Sequence, residues 1–189
     1  MTSAQLASPA EILAFWRAAG FERWFSRNDA FDSNIRARFL PTYEAAAAGH
    51  LDDWLDSDEG ALALVIVLDQ FPRNLFRGTP RAFATDAAAL RISEAARARG
   101  IDKRTDAELR PFFYLPLMHS EDPGHQQQCV AIYEALNAEG AGNEAGVKSA
   151  REHADIIHRF GRFPHRNVIL GRDTTKDEQA FLDSGGFSG

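Results

Sequence analysis

Proline, glycine and capping residues cut this chain into helix-sized pieces, and nothing between them offers a sheet. Ser8-Pro9-Ala10-Glu11 has capping-box spacing, with proline at the first helical position, where its missing N–H costs nothing. Apolar Ile12, Phe15, Trp16 and Ala19 follow on one face, and Gly20 predicts the stop. Thr79-Pro80 opens another predicted helix that runs past Phe83, Ala87 and Leu90 to Gly100. Thr105 with Glu108, and Thr175 with Glu178, repeat the capping box. The stretch from Asp32 to Ala48 ends at Gly49 in the same way.

Ala61 to Phe71 is apolar on nearly every side, and its Val65-Ile66-Val67 triplet has strand character. Its length and its helical neighbours favour a helix. Pro111 and Pro116 bracket Phe112 to Leu115, which predicts a short or kinked helix. Gln126 to Glu139 and Glu144 to Phe160 read as two more helices around a glycine-rich turn, Gly140 to Gly146. No segment alternates with period two for long enough to build a sheet. The expectation is an all-α chain, an antiparallel helical array forming a single domain over residues 1–189.

Composition narrows the function classes. Hydrophobic residues at 44% and charged residues at 25% are the balance of an ordinary globular chain. The longest wholly apolar run, Ala61 to Leu68, is too short to span a bilayer. With no basic region ahead of an apolar stretch at the N-terminus, and one cysteine, Cys129, a cytoplasmic location is expected. A formal charge of −6 works against nucleic-acid or anionic-membrane binding.

Against that acidic background, Arg159 to Arg172 carries four arginines and no acid. Asp69 to Thr79 echoes it: each copy runs Phe-Pro, then Arg-Asn, then apolar residues, then an arginine beside a glycine. Guanidinium offers a planar fork suited to carboxylate or phosphate, and asparagine adds a donor and an acceptor. If the two turns met, Arg73, Asn74, Arg77, Arg162, Arg166 and Asn167 would form a cradle for an anionic small molecule or peptide. The alternative is structural: the same groups cap helix ends and pair with the chain's own acids. Asp69, near a helix C-terminus and on an apolar face, needs a cationic partner on either reading.

The candidate catalytic residues are His119, Glu121, His165 and Asp69. His119-Ser120-Glu121 places an imidazole and a carboxylate in one predicted loop, where both can aim at one point. A metal site is not expected, because His153 and His158 lie about 140° apart around a helix and no paired cysteines are present. His153 reads as a hydrogen-bonded core histidine. No nucleophile motif, phosphate loop or dinucleotide fingerprint is present, so no cofactor is expected.

Taken together, these motifs resemble a family of bacterial proteins of unknown function with an all-helical, tetratricopeptide-like fold. The resemblance is carried by Ile12 to Trp16, by Trp24-Phe25 with Asp29, Phe31 and Asp32, and by Leu68 to Gly78. It continues through Arg81 to Asp86, Tyr114 to Asp122, and His153 to Arg172 with Thr174 or Thr175 and Glu178. It implies an antiparallel helical array resembling a tetratricopeptide-like superhelix, and no established activity. The residues themselves support three readings: a binding protein for an anion, a hydrolase of phosphorylated or carboxylated substrates, and an assembly scaffold. Exposed aromatic residues would also permit a homo-oligomer.

Overall fold

The computed structural model describes residues 5–186 and is helical throughout, with no strand among them. In chain order the helices are α1 (Pro9–Trp24), α2 (Asp29–Ala47), α3 (Asp58–Val65), α4 (Phe71–Leu75), α5 (Asp86–Ala98), α6 (Ile101–Arg104), α7 (Leu115–Met118), α8 (Pro123–Ala138), α9 (Glu144–Phe160) and α10 (Lys176–Asp183). The chain groups into two compact units. Residues 5–77 with 81–116 make the first, and residues 78–80 with 117–186 the second.

In the first unit, α3 packs against α1 and α5, and α2 against α4. Every residue from Gly60 to Pro72 is buried, so this segment is the core of the unit, ringed by Trp16, Phe39, Phe112 and Phe113. The strand character of Val65-Ile66-Val67 loses to the helical context, as the length argument predicts. The helix is not regular, however. Ile66–Gln70 forms a π-turn in which the Phe71 N–H reaches the Ile66 carbonyl. Pro72 explains part of this, since it has no N–H to give the Leu68 carbonyl four residues back. Thr85 Oγ1 donates to that carbonyl instead, at 2.6 Å, and Arg73 Nη1 takes the Asp69 carbonyl.

One expected boundary is corrected. The helix expected from Thr79 to Gly100 is broken: Pro80–Phe83 is a separate 3₁₀ turn, and α5 starts only at Asp86. Nor does Thr105 cap a helix. Its hydroxyl donates back to the Ile101 carbonyl at 3.0 Å, while Glu108, its expected partner, binds Arg17 at 2.5 Å. Gly20 does not end α1 but kinks it, with φ +71° and ψ 171°, and one further turn follows to Trp24. The capping boxes at Ser8/Glu11 and Thr175/Glu178 are both formed.

The second unit is built on the α8–α9 hairpin, closed by residues 139–143. Asp122 and Asn143 cap the two helices by accepting from the His125 and Gly146 N–H groups. Gly161 adopts φ +69° and ends α9, turning the chain so that Phe163 drops onto Ile156 and Ile157. Phe160 and Phe181 of α10 complete this small core. No helix is long and apolar enough to cross a membrane among the described residues.

Candidate functional site

In the first unit the marked residues hold the chain's own carboxylates. Arg73 forms a two-pronged pair with Asp86, at 2.9 and 3.1 Å, and lies 3.5 Å from Asp69. Asp69 is fully buried and accepts from Gln70 Nε2 as well. Burial works against the charge on Arg73, but the Asp69 and Asp86 carboxylates outweigh it and raise the pKa of the guanidinium. Asn74 Nδ2 donates to Asp32 at 2.8 Å, and Arg77 grips both oxygens of the same carboxylate, at 2.5 and 3.0 Å. The first Phe-Pro-Arg-Asn copy therefore ties the π-turn and α4 to α2 and α5.

The second copy behaves the same way at Arg162 and Asn167. Arg162 binds Glu178 through Nε and Nη2, at 2.6 and 2.9 Å, and Nη2 also reaches the Asp173 carbonyl. The Arg162 hydrogen bonds are the largest cause holding the Glu178 carboxyl down at about 2. Glu178 accepts the Thr175 N–H too, so one carboxylate closes the α10 cap and anchors the arginine loop. Asn167 is fully buried, and its Oδ1 accepts from Arg172 Nε at 3.0 Å.

Glu121 sits at the centre of that loop's support. It takes both Arg172 Nη groups, at 2.7 and 3.0 Å, together with the Phe163 N–H at 2.8 Å. Burial disfavours its charge, but the Arg172 and Phe163 hydrogen bonds prevail and lower its pKa. A carboxylate held ionised by three donors suits positioning better than proton transfer. His119 is partly exposed in the turn after α7.

What these ties position is a cluster around Phe163. The ring is fully buried. The Arg166 guanidinium lies over it at 4.5 Å, the His153 ring meets it edge-on at 5.6 Å, and the His165 ring leans on it at 5.7 Å. His153 Nδ1 is 2.8 Å from the Ser149 carbonyl, which can only accept, so that nitrogen carries the proton. This is the core histidine the sequence predicts. His165 is pushed down to about 3, first by burial and then by Arg166 and His153, with Glu121 opposing and Arg172 adding to the drop. It is therefore a neutral imidazole in a positive field at physiological pH.

Beside α8 and α9 the second unit opens a groove of about 1090 Å³. None of the sequence-marked residues lines it, and Glu134, Glu144, Glu152 and Asp155 outnumber Lys148 and Arg151 there. That charge balance disfavours an anion. No group of three or more potential metal ligands is gathered among the described residues.

Residues 12–186 match the family described as bacterial protein of unknown function, DUF924. The chain belongs to this family. It is also similar to a solved structure, that of a protein of unknown function, ATU0120, from Agrobacterium tumefaciens. The two share 44% identity over 94% of this chain and 97% of that one, with a TM-score of 0.88. No curated protein matches the chain. Sequence reasoning did not single out Arg172, Asp32, Asp86 or Glu178 as the partners. The signal for Glu178 was present, since a capping-box glutamate beside an arginine window can serve both.

Proposed function

We propose that this DUF924 protein is a cytoplasmic binding protein whose second unit receives a small anion, a carboxylate or phosphate, at Arg166 and His165. The observation that carries the reading is the convergence of a guanidinium and two imidazoles on the single buried ring of Phe163. A guanidinium stacked on an aromatic face has its fork fixed in direction, so less freedom is lost when it meets an anion. Arg162, Asn167, Arg172 and Glu121 hold the loop that carries it and act as positioning residues. A neutral His165 offers one donor and one acceptor, which suits an oxyanion that brings its own proton. The lone cysteine, buried Cys129, is consistent with the cytoplasmic setting.

A thermal-shift screen of phosphorylated metabolites, carboxylates and short peptides tests this. A ligand at a hundred times its dissociation constant adds about 2.7 kcal/mol, which is on the order of 5–10 °C for a chain of this size. The shift is expected to vanish in Arg166→Ala and to survive in Arg77→Ala. A panel without any shift, or one equal in Arg166→Ala, would overturn the assignment.

A further inference from the structure

The groove of the second unit has no part in the anion site, and its walls favour the opposite charge. α9 lines it with a stripe at three- and four-residue spacing that runs from Glu144 to Ile156. With a helix rise of about 1.5 Å per residue, the stripe is about 18 Å long. α8 adds Glu134, Asn137 and Ala138 to the lining, and α10 adds Phe181. Val147 and Ile156 are buried and Phe181 half-buried, so apolar surface lies between the charges. Charge is sorted along the stripe. Its two bases stand near the middle and are already matched. Arg151 holds Glu134 through Nε and Nη2, at 3.0 and 2.6 Å, and Lys148 lies 3.7 Å from Glu152. An acid remains toward each end. Glu144, in the first turn of α9, forms no ion pair among the described residues. Asp155 shows what the other end accepts: the Arg159 guanidinium lies 3.4 Å from it and over the Phe160 and Phe181 rings, at 4.8 and 5.1 Å. A carboxylate beside aromatic faces is a setting that holds organic cations.

We propose that this groove binds a linear aliphatic polyamine. One terminal ammonium meets Glu144, the other enters the Asp155 and Phe181 corner beside or in place of Arg159, and the alkyl chain lies over Val147 and Ile156. Three features select this chemistry. The acids at the two ends stand about 16 Å apart along α9, so they suit a ligand whose charges are separated. A compact divalent cation needs several oxygens at one point, and no such group is gathered among the described residues. A basic peptide brings backbone amides that need partners, and Asn137 is the one uncharged polar side chain in the lining. An alkyl chain needs none. The groove shares no residue with the anion site, so each assignment stands or falls separately.

Calorimetric titration of the full chain with putrescine, spermidine and spermine, at fixed ionic strength, tests this. Affinity is expected to rise with the length of the amine, because the shortest reaches only one acid. Glu144→Gln leaves the Asn143 cap in place and should weaken spermine binding about threefold at an unchanged thermal midpoint. Arg159→Gln empties the Asp155 corner and should tighten binding by a similar factor. Asp53→Asn and Arg91→Gln make the same charge changes at exposed positions of the first unit and should leave affinity unchanged. Equal effects from these controls would mean a diffuse counter-ion response of an acidic chain and would overturn the proposal. So would the absence of binding by all three amines, or affinity that does not depend on their length. Binding of an arginine-rich peptide without binding of spermine would overturn it as well.

Discussion

Arg172 grips Glu121 with both terminal nitrogens, at 2.7 and 3.0 Å, across 51 positions of sequence. The same carboxylate accepts the Phe163 N–H, so a single acid joins the turn after α7 to both ends of the arginine loop. An interaction of this reach restrains the loop in a way no local turn can.

Glu121→Gln should therefore lower stability by about 2 kcal/mol, since it leaves a half-buried guanidinium without its counter-charge. Arg172→Lys should recover little of the loss, because an ammonium cannot reproduce two parallel hydrogen bonds. Urea unfolding measures both, with an unchanged slope expected if only the tie is lost.

Arg73→Ala should be costlier, about 3 kcal/mol, because it strips the cation from fully buried Asp69 and opens the π-turn carbonyl. Adding Asp86→Asn to it should cost less than the sum of the two single changes. A double-mutant cycle in urea reads that coupling.

The two forms of threonine punctuation make a paired prediction. Thr175→Ala removes a formed cap and should cost about 1 kcal/mol. Thr105→Ala loses only a hydroxyl bonded back to Ile101 and should stay within about 0.5 kcal/mol of wild type. Equal losses would contradict the cap assignments.

Stability should fall toward acid in two steps of like sign. His165 titrates at about 3 when folded, against an ordinary 6.5, so the unfolded chain binds its proton more readily. Its contribution is complete above pH 6.5 and is lost as pH falls from there toward 3. Glu178, at about 2 against an ordinary 4.5, contributes fully above pH 4.5 and loses that contribution as pH falls toward 2. His165→Gln should flatten the first step and leave the second. Thermal midpoints across pH 3 to 8 would show it.

The all-α class was legible because caps and stops are local: Ser8, Pro9 and Thr175 act within one turn of their own position. The expected cap at Thr105 fails for a reason that is not local: Glu108 serves Arg17, 91 positions away, and is not free for the role its spacing suggested. The arginine windows were visible for the same reason the caps were, as dense local patterns. Their partners were not, since Asp32, Asp86 and Glu121 are brought to them only by folding. The continuation of α1 past Gly20 was also out of reach, because it depends on a backbone kink that a glycine permits but does not dictate.

The most direct test of the anion site is the NMR titration of the His165 ring in wild-type and Arg166→Ala protein, with and without saturating inorganic phosphate or a dicarboxylate. Free wild type should show His165 neutral down to about pH 3. A bound anion beside the ring should raise that midpoint by one unit or more, roughly 1.4 kcal/mol per unit, and Arg166→Ala should abolish the rise. A His165 midpoint that no anion moves, or that moves equally without Arg166, would contradict the account.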